Sequence, residues 1–384
     1  MTTGVHIIGS GRTVCGKTDF TIRELILQSC GELFDKVNIV PDKIIVTNMA
    51  ADQFTGQNHL GAFVADQLGL TGIPAMHVEA ACGSGGVGVH EAFISIKSGY
   101  YNSVLVVGVE KMTNVTTPQS TSYMAGASDF EWEIAPGTTF PGLNALIAKR
   151  YMHDYNVSEA DLMQFSVISH KNAITNPYAM FQKELTLEKG LASRMIADPL
   201  KLFDCSPVSD GSAAVLLVNE DIKQKNSHLS SAEIVASRYA TDSISLQERA
   251  ELCELRASKI ASRQAFNDAN ITWKDVKAFE VHDAFTIMGA LSLESFDIVE
   301  KGKASDLAKE GQLALDGDIP YNTFGGLKAR GHPVGSTGVY QVVENYLQLT
   351  DQAGKNQVPN INYALAQNIG GSGATISVNI SKRS

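Results

Sequence analysis

Residues 76–93 read MHVEAACGSGGVGVHEAF, and residues 331–349 read GHPVGSTGVYQVVENYLQL. Each joins a glycine-rich turn to a helical pattern, and each puts one reactive side chain, Cys82 or His332, ahead of the glycines. When Val87-Gly88-Val89 is laid on Thr337-Gly338-Val339, Cys82 falls on His332. The likeness extends both ways. Upstream, the helical pattern TIRELILQSCGELFDKV leads to Asn38-Ile39 and the apolar run KIIVTNM, while ASKIASRQAFNDA leads to Asn270-Ile271 and VKAFEVHDAF. Downstream, Asp210-Gly211-Ser212 precedes AAVLLVN, and Gly371-Ser372-Gly373 precedes ATISVNI. One such match could be chance; all of them in the same order indicate a duplication.

Within each half, short runs rich in Val, Ile and Leu alternate with helical patterns, as in SVLVVGVE at 103–110. Continuous apolar runs of that length suit strands buried on both faces. The alternation predicts an α/β fold with a mostly parallel sheet, and two stacked halves predict five layers, α/β/α/β/α. Residues 116–198 break the pattern. They are rich in Thr, Ser, Met, Tyr and Phe, with helical pieces ALIAKRYMHDY and EADLMQFSVISHKNAI. The predicted organisation is a first half over 1–115 and 199–228, an inserted loop domain over 116–198, and a second half over 229–384. An insertion on a rigid scaffold is a place for binding function; a purely structural cap is the alternative.

The chain has 384 residues, of which 44% are hydrophobic and 19% charged, enough for a large core. A net charge of −10 argues against a general nucleic-acid or membrane-surface binder, though not against a local basic groove for a phosphorylated ligand. The cysteines, Cys15, Cys30, Cys82, Cys205 and Cys253, are scattered, odd in number and without C-x-x-C spacing. A disulfide framework or cysteine zinc site is not expected, and a reducing cytoplasm fits best. MTTGVHIIGSGRT shows no signal-peptide pattern, and no run of about 18 apolar residues suggests a membrane span.

Four places can do chemistry. Cys82 sits between a predicted strand and a predicted helix, the context of a nucleophile elbow. A tight turn exposes the sulfur, the helix start favours thiolate, and backbone N–H groups can stabilise an oxyanion. The bland reading is a small core cysteine beside glycines. His332, between Gly331 and Pro333 at a helix entry, can accept a thiol proton; it could also be a capping histidine. His282 follows the strand VKAFEV and can donate to a developing oxyanion, or simply bond Asp283. Asn368-Ile369-Gly370-Gly371 can present a backbone N–H, or be an ordinary turn. GSGGVG lacks the lysine of a P-loop and the spacing of a dinucleotide fingerprint. No histidine–carboxylate cluster suggests a metal. One cysteine with two histidines points to covalent catalysis.

Together, EAACGSGG, VEKMT, CSPVSDGSAA, HDAF, GGLKARGHPVGSTG and NIGGSGAT resemble the thiolase superfamily, in family order and over essentially the whole chain. EWEIAPGTTFPGLNALIAKRYM and the pairing of HDAF with AQNIGGSGAT resemble the archaeal-type acetoacetyl-CoA thiolases, relatives of the sterol-carrier-protein-linked thiolases. The resemblance implies the five-layered thiolase fold and reversible acetyl-CoA C-acetyltransfer through an acyl-cysteine, with coenzyme A thioesters as substrates and no permanently bound cofactor. It implies Cys82 as nucleophile and His332 as its base. His282 stands where many thiolases carry an asparagine in the first oxyanion hole. The N–H groups of Cys82 and Gly370 match the second.

Two positions depart from the family. Asn368 stands where many thiolases place a second, acid/base cysteine, and Ala284 stands where the sterol-carrier-linked group can place one. Neither side chain exchanges a proton at neutral pH. His282, His332 or another cysteine must then serve the Claisen step; Cys205, in a structural-looking SPVSDG context, ranks low. An acyltransferase that makes no acetoacetyl-CoA, and a non-catalytic CoA-binding or scaffold subunit, are the rivals. The resemblance further implies a homodimer or tetramer, a cytoplasmic place in the mevalonate pathway, and association with a hydroxymethylglutaryl-CoA synthase and an OB-fold scaffold protein.

Overall fold

The computed structural model describes residues 4–384. The first part of the chain runs β1 (Val5–Arg12), α1 (Ile22–Phe34), β2 (Lys43–Thr47), α2 (Ala51–Thr55), α3 (Leu60–Gln67), β3 (Ala75–Val78), α4 (Ser84–Lys97) and β4 (Ser103–Glu110). Next come α5 (Thr117–Ala125), α6 (Phe140–Tyr155), α7 (Glu159–Ala173), α8 (Leu187–Leu191), the short strands β5 (Met195–Ala197) and β6 (Leu200–Lys201), then β7 (Gly211–Asn219) and α9 (Glu220–Lys225). The rest is β8 (Ala232–Thr241), α10 (Arg256–Ala269), β9 (Val276–Glu280), α11 (Thr286–Ser295), α12 (Ala304–Lys309), α13 (Thr337–Leu349), β10 (Tyr363–Gly370) and β11 (Thr375–Arg383).

The strand order β3-β2-β4-β7-β1-β8-β11-β10-β9 is a near palindrome about the β1–β8 junction. It sets β1 against β8, β2 against β9, β4 against β10 and β7 against β11, and the sequence repeat had matched the second and the last of these. In the sheet, the described residues of the two halves join at two pairs, His6 with Glu233 and Ile7 with Ala232. The prediction of a mostly parallel sheet needs correction. β2–β3, β2–β4 and β9–β10 are parallel, but β1–β7, β4–β7, β8–β11 and β10–β11 are antiparallel. β11 follows β10 after a turn at 371–374, far too short for the crossover that a parallel neighbour needs.

Alternation along the buried strands builds the layers. In β4, Leu105, Val107 and Val109 face α1 and α3, while Val104 and Val106 face the middle of the molecule. There they meet Val87, Val89 and Ile96 of α4 and Val339, Val342 and Val343 of α13. In the second half, Ala364 and Ala366 of β10 face that same central layer, and Leu365 and Ile369 face the core that α10 and α11 cover. The result is α/β/α/β/α. α4 and α13 approach at their N-termini so closely that a Cβ on Gly85 would lie 2.7 Å from the backbone nitrogen of Gly338. Only glycine allows that contact.

The helices between β4 and β7 join the core of the second half. Phe140, Ile147, Tyr151 and Phe165 pack with Phe279, Phe285, Leu291 and Leu327. No helix among the described residues is long and apolar enough to cross a membrane.

Candidate active site

Cys82 and His282 follow the ends of β3 and β9, Asn368 and Gly370 lie at the end of β10, and His332 lies in the turn before α13. Cys82 lies between β3 and α4, after Ala81, which has φ +51°. A non-glycine residue in the left-handed region is uncommon, and here it makes the sharp bend that turns the chain from strand to helix. Cys82 is 1% exposed and packs with Phe54, Met112 and Val334. Its pKa is pushed up to about 12, first by burial and then by the Glu110 carboxylate; the N–H groups of Cys82 and Gly371 bond the sulfur and pull the other way.

Gly370 ends β10 beside this loop. A Cβ there would lie 2.3 Å from the carbonyl oxygen of Ala80, so the glycine turn and the cysteine loop touch backbone to backbone. Gly370 is thus beside Cys82, and its neighbour Gly371 provides the N–H that the sulfur meets.

His332 precedes α13. Its backbone N–H donates to Ser209 Oγ at 2.7 Å, and its Nδ1 is 2.7 Å from Thr337 Oγ1. His282 follows β9, and the two imidazoles stand edge to face with centroids 5.0 Å apart. Burial holds both below the usual histidine range, His282 to about 3 with Arg330 adding to the effect, and His332 well below with help from His282, Arg330 and Lys328. Asp283 does not bond His282. It accepts from Leu327 N–H at 2.6 Å and Ser169 Oγ at 2.9 Å. The partner of His282 Nδ1 is Asn368 Nδ2, at 3.0 Å.

In front of these residues is a cavity of about 390 Å³. His332 and Val334 form part of its wall, with Met112, Val115, Phe140, Pro141, Ala284 and Phe285. Residues of the 116–198 segment, including Ser120, Met124 and Met180, supply another wall. A second cavity of about 440 Å³ meets the first at Cys205, Ser206 and Pro207, with Lys183 and Lys189 at its edge. Cys205 lines both, its thiol pushed up to about 11 by burial against the opposing effect of Lys328. Among the described residues, no group of three His, Cys, Asp or Glu side chains could hold a metal.

Sequence reasoning passed over Thr337, Ser209 and Glu110. Glu110 is fully buried and accepts from Met49 N–H (2.9 Å), Gly335 N–H (2.9 Å) and Asn48 Nδ2 (2.8 Å). It thereby ties the loop after β2 to the turn that follows His332. Its signal was visible: a lone acid closing the apolar strand SVLVVGVE. Thr337 had no such mark, since only the fold of the 331–337 turn returns its hydroxyl to His332.

A cysteine at a strand-to-helix bend, two buried histidines and backbone N–H groups at the sulfur come together on this five-layered fold. Residues 5–221 match the family "Thiolase, N-terminal domain", and residues 239–383 match "Thiolase C-terminal domain-like". The chain belongs to the thiolase family. It is 41% identical over 383 residues to the acetyl-CoA acetyltransferase of Methanothermobacter thermautotrophicus, covering 99% of each chain. It is 41% identical over 386 residues to the acetyl-CoA acetyltransferase of Methanocaldococcus jannaschii, covering 98% of each. The solved Ltp2–ChsH2(DUF35) aldolase shares the fold, with a TM-score of 0.86, 22% identity, and 99% of this chain and 98% of that one covered.

Proposed function

We propose that this enzyme is an acetyl-CoA acetyltransferase, forming and cleaving acetoacetyl-CoA through an acyl-Cys82 intermediate. The observation that carries the reading is that His332 lines the cavity with His282 at its back, and that Cys82 packs behind the cavity residues Met112 and Val334, on a chain that matches acetyl-CoA acetyltransferases end to end. In the first half-reaction, His332 takes the Cys82 proton as sulfur attacks the thioester carbonyl. The N–H groups of Cys82 and of the Gly370-Gly371 turn face the oxyanion, and CoA leaves as the thiol. In the second, His332, neutral again once CoA has left as the thiol, takes an α-proton from acetyl-CoA; the enolate, its oxygen held by His282, attacks acyl-Cys82, and the departing Cys82 thiolate takes that proton back. Burial suits this plan. Neutral thiol and neutral imidazole coexist at rest, and the ion pair forms only as the reaction draws on it.

Asn368 and Ala284 leave the second cysteine positions without a thiol, which supports acyl transfer to another acceptor as the second reading. The exposed ammonium groups of Lys183 and Lys189 suit the phosphates of a CoA thioester. Unpaired cysteines fit a cytoplasmic setting, and the DUF35 partner of the solved aldolase supports association with a small scaffold protein here.

The test is to mix protein with acetoacetyl-CoA and CoA, follow substrate loss, and weigh the intact protein, with Cys82→Ala alongside. Turnover with an acetyl adduct is expected, and the variant should lose both, turnover by roughly 10³-fold or more. An adduct without turnover would favour the acyltransferase; neither signal from folded protein would sink the catalytic reading of Cys82.

A further inference from the structure

Asn368 stands in this site without a proton to exchange, yet its side chain is buried and both ends are occupied. The Gly86 backbone N–H lies 3.0 Å from Oδ1. That N–H can only donate, so the amide atom facing it is the oxygen, and the opposite atom is the NH₂. The NH₂ lies 3.0 Å from His282 Nδ1 and can only donate in turn. His282 Nδ1 must therefore accept. A neutral imidazole with a bare Nδ1 carries its proton on Nε2.

His332 is set the other way. The one proton of the Thr337 hydroxyl has two acceptors in reach, Pro333 O at 3.1 Å and His332 Nδ1 at 2.7 Å; given to the carbonyl, which can only accept, it leaves a lone pair facing Nδ1. His332 thus carries its proton on Nδ1 and shows a bare Nε2. We infer that Asn368 is a positioning residue that fixes His282 as an Nε2–H donor beside His332, whose free Nε2 is the acceptor. One histidine is built to give a hydrogen bond and its neighbour to take a proton. The asparagine cannot drift between these partners. It lies between the starts of α4 and α13, where a Cβ on Gly338 would come 2.4 Å from Oδ1 and one on Gly86 would come 2.9 Å from the Asn368 Cβ. Burial reinforces the assignment by keeping both rings neutral.

The inference rests on the proposed role of His282 in holding the enolate oxygen, and it explains the departure at position 368. A cysteine there would bring a proton carrier; the asparagine brings a fixed donor behind the oxyanion histidine. Proton transfer then falls to His332.

The experiment is nitrogen-15 NMR of the full-length protein with labelled histidines, nine in all, with His282 and His332 assigned from His282→Gln and His332→Gln. The two tautomers have distinct pairs of ring-nitrogen shifts. His282 should show the Nε2–H pattern and His332 the Nδ1–H pattern. In Asn368→Leu, His282 should redistribute between tautomers. Turnover should fall by one to two orders of magnitude, roughly, short of the loss from deleting an oxyanion donor, while the rate of Cys82 acetylation and the KM for CoA stay within about threefold. An Nδ1–H pattern on His282 in the wild-type protein would overturn the inference even if the leucine variant fails to fold. Unchanged His282 shifts and turnover in that variant would also overturn it. Turnover that survives Cys82→Ala would instead bring down the acyl-cysteine reading and this inference with it, so the two failures are distinct.

Discussion

The helix that starts behind Cys82 and the helix that starts behind His332 occupy equivalent places in the two halves, but they are held differently. α4 keeps one face toward solvent, with Ile94 46% exposed, and enters directly from the cysteine through Gly83. α13 is buried along nearly its whole length and carries Gln341, Glu344, Asn345 and Gln348 inside. Gln341 Nε2 donates to the carbonyls of Glu280 and Gln367, and Gln348 Nε2 donates to Thr323 Oγ1 and Asn356 O. Glu344 pairs with fully buried Arg330 at 3.1 Å. Both helices pack through apolar side chains, and the second adds buried polar contacts, among which Asn345 and one oxygen each of Gln341 and Glu344 have no partner. The two halves share a backbone frame, but one carries Cys82 at its helix start and the other carries both imidazoles.

The comparison breaks most sharply at the histidines. His332→Ala should lower both Cys82 acetylation and overall thiolysis by roughly 10²–10⁴-fold. His282→Ala should lower the carbon–carbon step by roughly 10²–10³-fold and leave acetylation much less affected. Single-turnover mass measurement on acetyl-CoA separates the two; equal losses in both steps would remove the division of labour. Next in size is the contact between the helices. Gly338→Ala places a Cβ 2.1 Å from the Gly86 nitrogen, a backbone atom that cannot step aside. Urea unfolding should show a loss of about 3 kcal/mol, and a variant as stable as wild type would mean the helices can slide apart.

The smallest effect concerns the acid that ends a strand in each half. Glu110 and Glu280 are both fully buried, with pKa values raised to about 7 and about 8; burial is the main cause in each, and for Glu280 the Glu344 carboxylate adds to it. A raised carboxyl pKa means that the folded chain holds a proton the unfolded chain has released. Their contribution is full below the unfolded value near 4.5 and is lost as pH rises through 7 and then 8. His282, lowered to about 3, is neutral in both states above its unfolded value near 6.5 and does not mask this. Stability should therefore fall between about pH 6.5 and 8. One Glu280 oxygen accepts from Thr323 while the other has no partner, so Glu280→Gln should fold normally and flatten the slope. An unchanged slope would mean Glu280 titrates as an ordinary carboxylate.

Local pattern was enough for much of this molecule. SVLVVGVE and AAVLLVN announced doubly buried strands, since a strand with helices on both faces has no polar side. The repeat announced two like halves and five layers, because equal sequence patterns bury equal faces; the palindromic strand order came from the structure. Cys82, His282 and His332 stood out as reactive types at element boundaries. Strand direction was not legible at β7 and β11, where apolar runs look the same whichever way they lie. Nor was the bonding around the imidazoles. Nothing local links Asn368 to His282 and Gly86, or Glu110 to Gly335, because these partners meet only once the two halves stack. The sequence by itself determined the layers and the reactive groups, through short-range periodicity and residue chemistry. Tertiary structure alone decided which ring nitrogen carries a proton, because that depends on which donor or acceptor a distant segment brings within about 3 Å.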